Sequence, residues 1–204
     1  MLEPGAAQGV MNDTPEEQLR ANVYGLLARL LAAAPDEEVL ARLQQIEAEA
    51  DAQGMAGAWH MLKLAAANST VEALDDEYHA LFIGVGRGEL VPFGSWYMTG
   101  FLMDKPLTYL RQDLAEFGIA RQDGVREPED HVAALCETMA IIIGHEEEID
   151  FARQQAFYKN HMQPWMRLFF EDLENAQAAT FYKAVARLGK EMMDFESRYL
   201  AIPA

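Results

Sequence analysis

Cysteine is almost absent: Cys136 is the single one in 204 residues. One thiol excludes an internal disulfide and any cysteine-rich zinc site, and in the apolar run AALCETMA it reads as a small buried hydrophobe in a reducing compartment. No stretch runs long enough without charge to span a bilayer, and the first residues, MLEPGAAQGVMNDTPEEQ, lack the basic and apolar regions of a secretory leader. Basic residues are scarce too, with 16 Lys and Arg against 33 Asp and Glu for a formal charge of −17. Such a surface repels nucleic acid and anionic membrane and attracts cationic partners. The expectation is a cytoplasmic protein without nucleic acid and without stable membrane insertion.

Strands are missing as well: no segment alternates apolar and polar residues convincingly. What is present is helical periodicity. Residues 1 to 13 are rich in Gly, Ala and Gln without period and read as a disordered arm; Thr14 then offers an N-cap, with Pro15 at the first helical position. Leu19, Val23, Leu26, Leu27, Leu30 and Leu31 follow at helical spacing, up to a stop before Pro35. A second helix is predicted to about Ala52, a third around Trp59 and Leu62, and a fourth from a Ser69/Glu72 capping box through Leu74, Tyr78, Leu81 and Phe82. The loop after it, GVGRG, follows a helix instead of a strand, and no G-x-x-x-x-G-K-S/T pattern occurs, so it does not read as a phosphate cradle. SWYMTGFLM reads as a short apolar helix, Leu107 to Phe117 as a helix ended by Gly118, and Pro164 should divide a long segment that runs to about Asn175. Phe181, Val185, Leu188, Met192, Phe195 and Tyr199 form a last stripe.

The stretch GVREPEDHVAAL, residues 124 to 135, allows more than one reading. Pro128 suits the first position of a helix, and Glu129 and Asp130 would complement the positive end of its dipole. That leaves His131 unexplained, because a charged imidazole is disfavoured there without a partner such as Asp130 or Glu127. Glu127, Asp130 and His131 could instead form an acid-base or metal constellation together with His145, but neither histidine has a second histidine four residues on. The HEEE run at 145 to 148 reads as a solvated helix start. No nucleophile stands beside a base at recognisable spacing. The remaining reading is a binding surface, with carboxylates for a cationic group and Trp96 and Tyr97 for an apolar one.

In order along the chain come DDEYHALFIGVGRG, VPFGSWYMTG, LAEFGIA and REPEDHVAAL. This resembles the TorD/DmsD family of chaperones that mature molybdenum-containing redox enzymes: an E-Y-x-x-L-F helix end, a Gly-containing loop, a P-aromatic-x-S-x-Y segment, a helix ending in Gly, and E-P-x-D-H before an apolar helix. HMQPWMRLFFEDL and FYKAVARLGKEMMDFE look like the family's C-terminal helices. Two departures are Gly94, at a place where an acidic residue is common, and the glycine-rich loop after Phe82.

The resemblance implies an all-α, single-domain bundle of roughly ten helices over residues 14–204. It further implies a cytoplasmic chaperone, not an enzyme, that binds the twin-arginine signal peptide and apoprotein of a molybdopterin-dependent oxidoreductase until its cofactor is inserted before export. It implies no metal and no cofactor of the chain's own, and a monomer or a helix-swapped homodimer. By position it carries the site onto Glu127 and Asp130 as an acidic lip, Pro128, and His131 as an orienting group. Pro92, Phe93, Ser95 and Tyr97 match the aromatic motif, with Trp96 between them and Tyr24 as a further groove candidate. A metal-dependent helical enzyme using Glu127, Asp130 and His131, or a helical adaptor for another cationic partner, are the alternatives. The apolar stripes predict a strongly helical far-ultraviolet spectrum and cooperative unfolding that chelators leave unchanged. Unfolding on chelation would favour the metal reading.

Overall fold

The apolar stripes fold as helices in the computed structural model, which describes residues 15–50, 53–85, 87–121, 124, 127–144 and 149–202. The ten α-helices among these are α1 (Pro15–Ala32), α2 (Glu37–Gln44), α3 (Gly54–Ala67), α4 (Val71–Tyr78), α5 (Gly94–Thr99), α6 (Lys105–Glu116), α7 (Val132–Gly144), α8 (Phe151–Phe157), α9 (Met166–Asn175) and α10 (Phe181–Tyr199). Two π-helical turns, His79–Ile83 and Tyr158–Met162, continue α4 and α8. No strand occurs among the described residues; Phe93 and His131 form one isolated antiparallel bridge. The chain is all-α, as expected. The predicted arm, the Thr14 cap and the HEEE run lie outside the described residues.

The most apolar of the long helices, α7, is central. Eight of its residues are buried, among them Leu135, Cys136, Met139 and Ile142, and α1 packs along it with Val23, Leu27, Leu30 and Leu31. A helix that is apolar nearly all round has to be enclosed. On the other side α10 packs against α9 and α3. Gly189 lets α10 come close to α9, since a Cβ there would lie 2.2 Å from the Phe170 ring.

Charged groups fix the bundle at two points. Arg20 on α1 is buried and donates to both oxygens of Glu196 on α10, at 2.6 and 2.9 Å, and to Gln154 on α8 at 3.2 Å, with its guanidinium over the Tyr199 ring. Glu77, the acidic residue of DDEYHALF, accepts the backbone N–H groups of Thr180, Phe181 and Tyr182 at 2.7 to 3.1 Å, capping α10 from 103 to 105 residues away. Beside it the Tyr78 hydroxyl donates to the Ala32 carbonyl, and Phe82 sets its ring edge to face against Tyr182. In this chain the E-Y-x-x-L-F segment joins α1, α4 and α10.

Several boundaries differ from those predicted. Helix α2 stops at Gln44 instead of near Ala52, because EAEADAQ offers no apolar stripe to bury. Thr70, and not Ser69, caps α4 through the Ala73 N–H, while the Ser69 hydroxyl turns back to the Ala65 carbonyl of α3. Helix α5 ends at Thr99 because Gly100 takes φ 80°. Pro164 lies in the turn between Met162 and α9 and divides that segment as predicted. Most relevant to function, α7 starts at Val132, so Pro128 is not its first helical residue.

Removing one partner of a buried ion pair leaves the other uncompensated. Arg20→Met should therefore lower unfolding stability by about 3–5 kcal/mol. The double variant Arg20→Met/Glu196→Leu should recover most of that loss in denaturant titrations.

Candidate functional site

The segments that carry the two densest motifs are bonded to each other. The Gly94 N–H donates to the Asp130 carbonyl at 2.9 Å, and the Val132 N–H donates to the Pro92 carbonyl at 2.9 Å. The Asp130 side chain completes the junction: its Oδ2 accepts the Ser95 N–H at 2.7 Å. Asp130 thus faces a helix dipole, as its sequence context suggested, but the dipole is that of α5 and not of α7. The residues expected to open α7 form a turn instead, in which the His131 N–H donates to the Pro128 carbonyl at 3.1 Å.

Burial decides how each member behaves. Asp130 is 3% exposed, and its Oδ1 has no hydrogen-bond partner among the described residues. The expectation of Asp130 on a surface lip is corrected accordingly, and the exposed carboxylate of the segment is Glu127. Glu129 pairs with Arg111 on α6 at 2.8 Å. Burial works against the Glu129 anion, but the Arg111 hydrogen bond and charge outweigh it and hold the carboxyl below its usual range.

His131 accepts the Ala133 N–H on Nδ1 at 3.2 Å, acting as a cap for α7, and meets Phe93 edge to face with ring centroids 5.0 Å apart. Burial lowers its pKa from 6.5 to about 4, against the opposing pull of Glu127 and Asp130. The imidazole is therefore neutral, which a cap acceptor at a helix N-terminus requires.

The aromatic segment splits into a buried and an open side. Pro92 is buried, as is Ser95, whose Oγ accepts the Met103 N–H at 3.1 Å. Phe93 is half-buried. Half-buried Tyr97 donates to Asp172 at 2.9 Å, with its ring against Trp165 and Phe169; burial and that bond raise its pKa. Trp96 is half-buried with the Arg87 guanidinium over its ring. Gly94 packs on Trp165, where a Cβ would lie 3.0 Å from the indole Nε1. An acidic side chain at that place would push against the indole.

Tyr24 is at 0% exposure in the α1–α7 core, so it lines no groove. Sequence reasoning missed the turn after α5. Phe101, Leu102 and Met103 are exposed there, Phe101 and Met103 at 71% each, with Met103 at φ 59°, and Met98 near the end of α5 is exposed beside them in sequence. The available signal was Gly100, which ends the helix early and turns the next three apolar residues outward. Among the described residues, no three His, Cys, Asp or Glu side chains are grouped to hold a metal, and no helix is long and apolar enough to cross a membrane.

A family model described as nitrate reductase delta subunit matches residues 48–171, which include the whole of this junction. The chain belongs to that family. Among the proteins it is similar to are the chaperone protein TorD of Vibrio parahaemolyticus, 26% identical over 89% of this chain and 94% of the relative, and that of Shewanella loihica, 27% identical over 87% and 91%. Those relatives are chaperones by name, in accord with the resemblance and with the expectation of a protein that is not an enzyme. The fold is also that of a protein from Archaeoglobus fulgidus described as a redox enzyme maturation protein, with a TM-score of 0.54, 19% identity, and coverage of 95% of this chain and 99% of that one.

The neutral His131 gives a pH signature. Between pH 6.5 and about 4 the unfolded chain binds a proton there that the folded chain does not, so this part of the stability is present above 6.5 and is lost as pH falls towards 4. In His131→Asn, whose side chain still offers an acceptor to Ala133, unfolding midpoints measured from pH 7 to 4 should decline less steeply than in the parent.

Proposed function

We propose that this chain is a cytoplasmic redox-enzyme maturation chaperone, folded as one helical domain, that binds the twin-arginine signal peptide and apoprotein of a molybdopterin-dependent oxidoreductase. It holds the client until cofactor insertion and catalyses no bond change itself. The single observation that carries this reading is the buried, half-satisfied Asp130 carboxyl behind α5. A buried acceptor left unpaired costs about 1–3 kcal/mol, and a donor that reaches it recovers that cost.

A guanidinium suits the vacancy, since it carries a planar fork of N–H donors and a charge opposite to the chain's −17. At 3% exposure, contact requires side-chain movement around α5. Glu127 stands outside to attract the cation, Trp96 offers an aromatic face, and the exposed stretch from Met98 to Met103 offers apolar surface to the rest of the peptide. His131 acts on the site from behind, by fixing the start of α7 and packing on Phe93.

The test is binding of a peptide with an Arg pair and an apolar segment. Charge-assisted hydrogen bonds are worth roughly 1.5–3 kcal/mol, so changing both Arg to Gln should weaken binding at least about tenfold. Asp130→Asn keeps an acceptor for the Ser95 N–H while removing the charge; it should weaken the peptide similarly with little change in unfolding midpoint, whereas Asp130→Ala should move both. Equal binding of the Gln peptide would show that no carboxylate reads the pair, and would favour an adaptor for a different partner.

A further inference from the structure

Arg87, like Arg153 over Phe117, lies against an aromatic ring and not against a carboxylate among the described residues. Arg20, Arg29, Arg42, Arg111, Arg167 and Arg187 each pair with a carboxylate. Arg87 makes no ion pair among the described residues, despite 33 acidic residues in the sequence, and instead lies with Cζ 5.6 Å from the centroid of the Trp96 ring. That is within the range of a cation–π contact.

The backbone determines where Arg87 starts. Gly84 has φ 57°, and a Cβ on it would lie 2.2 Å from the Arg87 carbonyl oxygen; a Cβ on Gly88 would lie 2.5 Å from the Leu81 carbonyl oxygen. These two glycines let the chain close tightly on the end of the π-helical turn. The stem is then held: Glu89 and Leu90 donate to the Ala80 and Leu81 carbonyls, and the Glu89 carboxylate accepts the Gln177 and Ala178 N–H groups. The exposed Arg87 side chain can leave Trp96 without any movement of this backbone.

We infer that the face of Trp96 is a subsite for a peptide arginine, occupied by the chain's own Arg87 until an incoming guanidinium displaces it. Trp96 follows Ser95, whose N–H donates to Asp130, so the stacking residue stands next to the α5 residue that the buried carboxyl holds. An aromatic face together with a carboxyl suits the flat, multiply donating guanidinium better than an ammonium. Arg87 thereby acts as an internal competitor that a weaker cation does not dislodge. The inference rests on the proposed client only for the source of the arginine.

The experiment follows the indole N–H resonance of Trp96 during titration with Nα-acetyl-arginine amide, and separately measures affinity for the Arg-pair peptide. Arg87 is exposed, so Arg87→Gln leaves the fold intact. It should lower half-saturation by the arginine amide, and tighten the peptide, about two- to fivefold, as expected for the loss of an exposed cation–π competitor. Arg42→Gln makes the same charge change on α2 and should alter neither. In a Trp96→Leu background, Arg87→Gln should have no effect on peptide affinity. The subsite is overturned if Arg87→Gln leaves the Trp96 titration unchanged or weakens it, if Arg42→Gln does as much, or if the Arg87 effect persists without Trp96. Should the arginine amide behave as expected while the peptide fails to bind, the subsite stands and the proposed client is wrong. Should the peptide bind while Arg87→Gln changes nothing, the client reading stands and the subsite does not.

Discussion

The hydrogen bonds between Pro92–Ser95 and Asp130–Val132 are the constraint on which the candidate site depends. Helix α5 has six residues, far too few to be stable alone. It persists because Asp130, 35 residues away, supplies the N-cap that neither Phe93 nor Gly94 provides. Three consequences follow from that one carboxyl. The α5 axis is tied to the start of the central helix; its less buried side chains, Trp96 and Met98, acquire fixed positions; and the Oδ1 atom is drawn inside without a partner among the described residues. Neutral His131 closes the arrangement from the α7 side.

Features set by local periodicity were legible in the sequence. The all-helical class, the α1 stripe, the stop at Gly118 and the division at Pro164 all follow from spacing and from backbone chemistry within a few residues. Contacts closed over long distances were not. Asp130 was correctly seen as a dipole-facing acid, but a sequence does not show which helix end lies opposite. Glu77 had the same ambiguity, since its partners are more than a hundred residues away. The apolar run at Phe101 to Met103 was read as part of a short apolar helix, and hydrophobicity alone does not distinguish a residue enclosed by the fold from one presented to a partner. The ordered motifs still located the segments that meet, without giving the bonds that join them.

Part of the acid excess is architectural. Asp36, Glu77, Glu89, Asp104, Asp130 and Asp150 each accept backbone N–H groups at the start of a helix or of the segment leading into one. Carboxylates in such places complement the partial positive charge of helix N-termini and help to position short helices that propensity alone would not hold. The surface field and the internal capping scheme therefore draw on the same residue type. In DDEYHALF this makes the motif's acidic residue a structural one, and leaves Glu127, with Arg87 opposing it in charge, among the exposed charged side chains of the two motif loops.

The Arg20–Glu196 pair also has a consequence in time. Its partners are 176 residues apart, and a guanidinium does not leave water for an apolar interior without its counter-charge. At synthesis rates of roughly 5–20 residues per second, Arg20 waits roughly 10 to 35 seconds on the ribosome before Glu196 has been added. During that interval the inward face of the first helix stays hydrated near its start, and the nascent chain holds helices without a closed interior. Native closure of the bundle therefore waits for residue 196, and a chain shortened before it would carry a first helix with an unmatched charge.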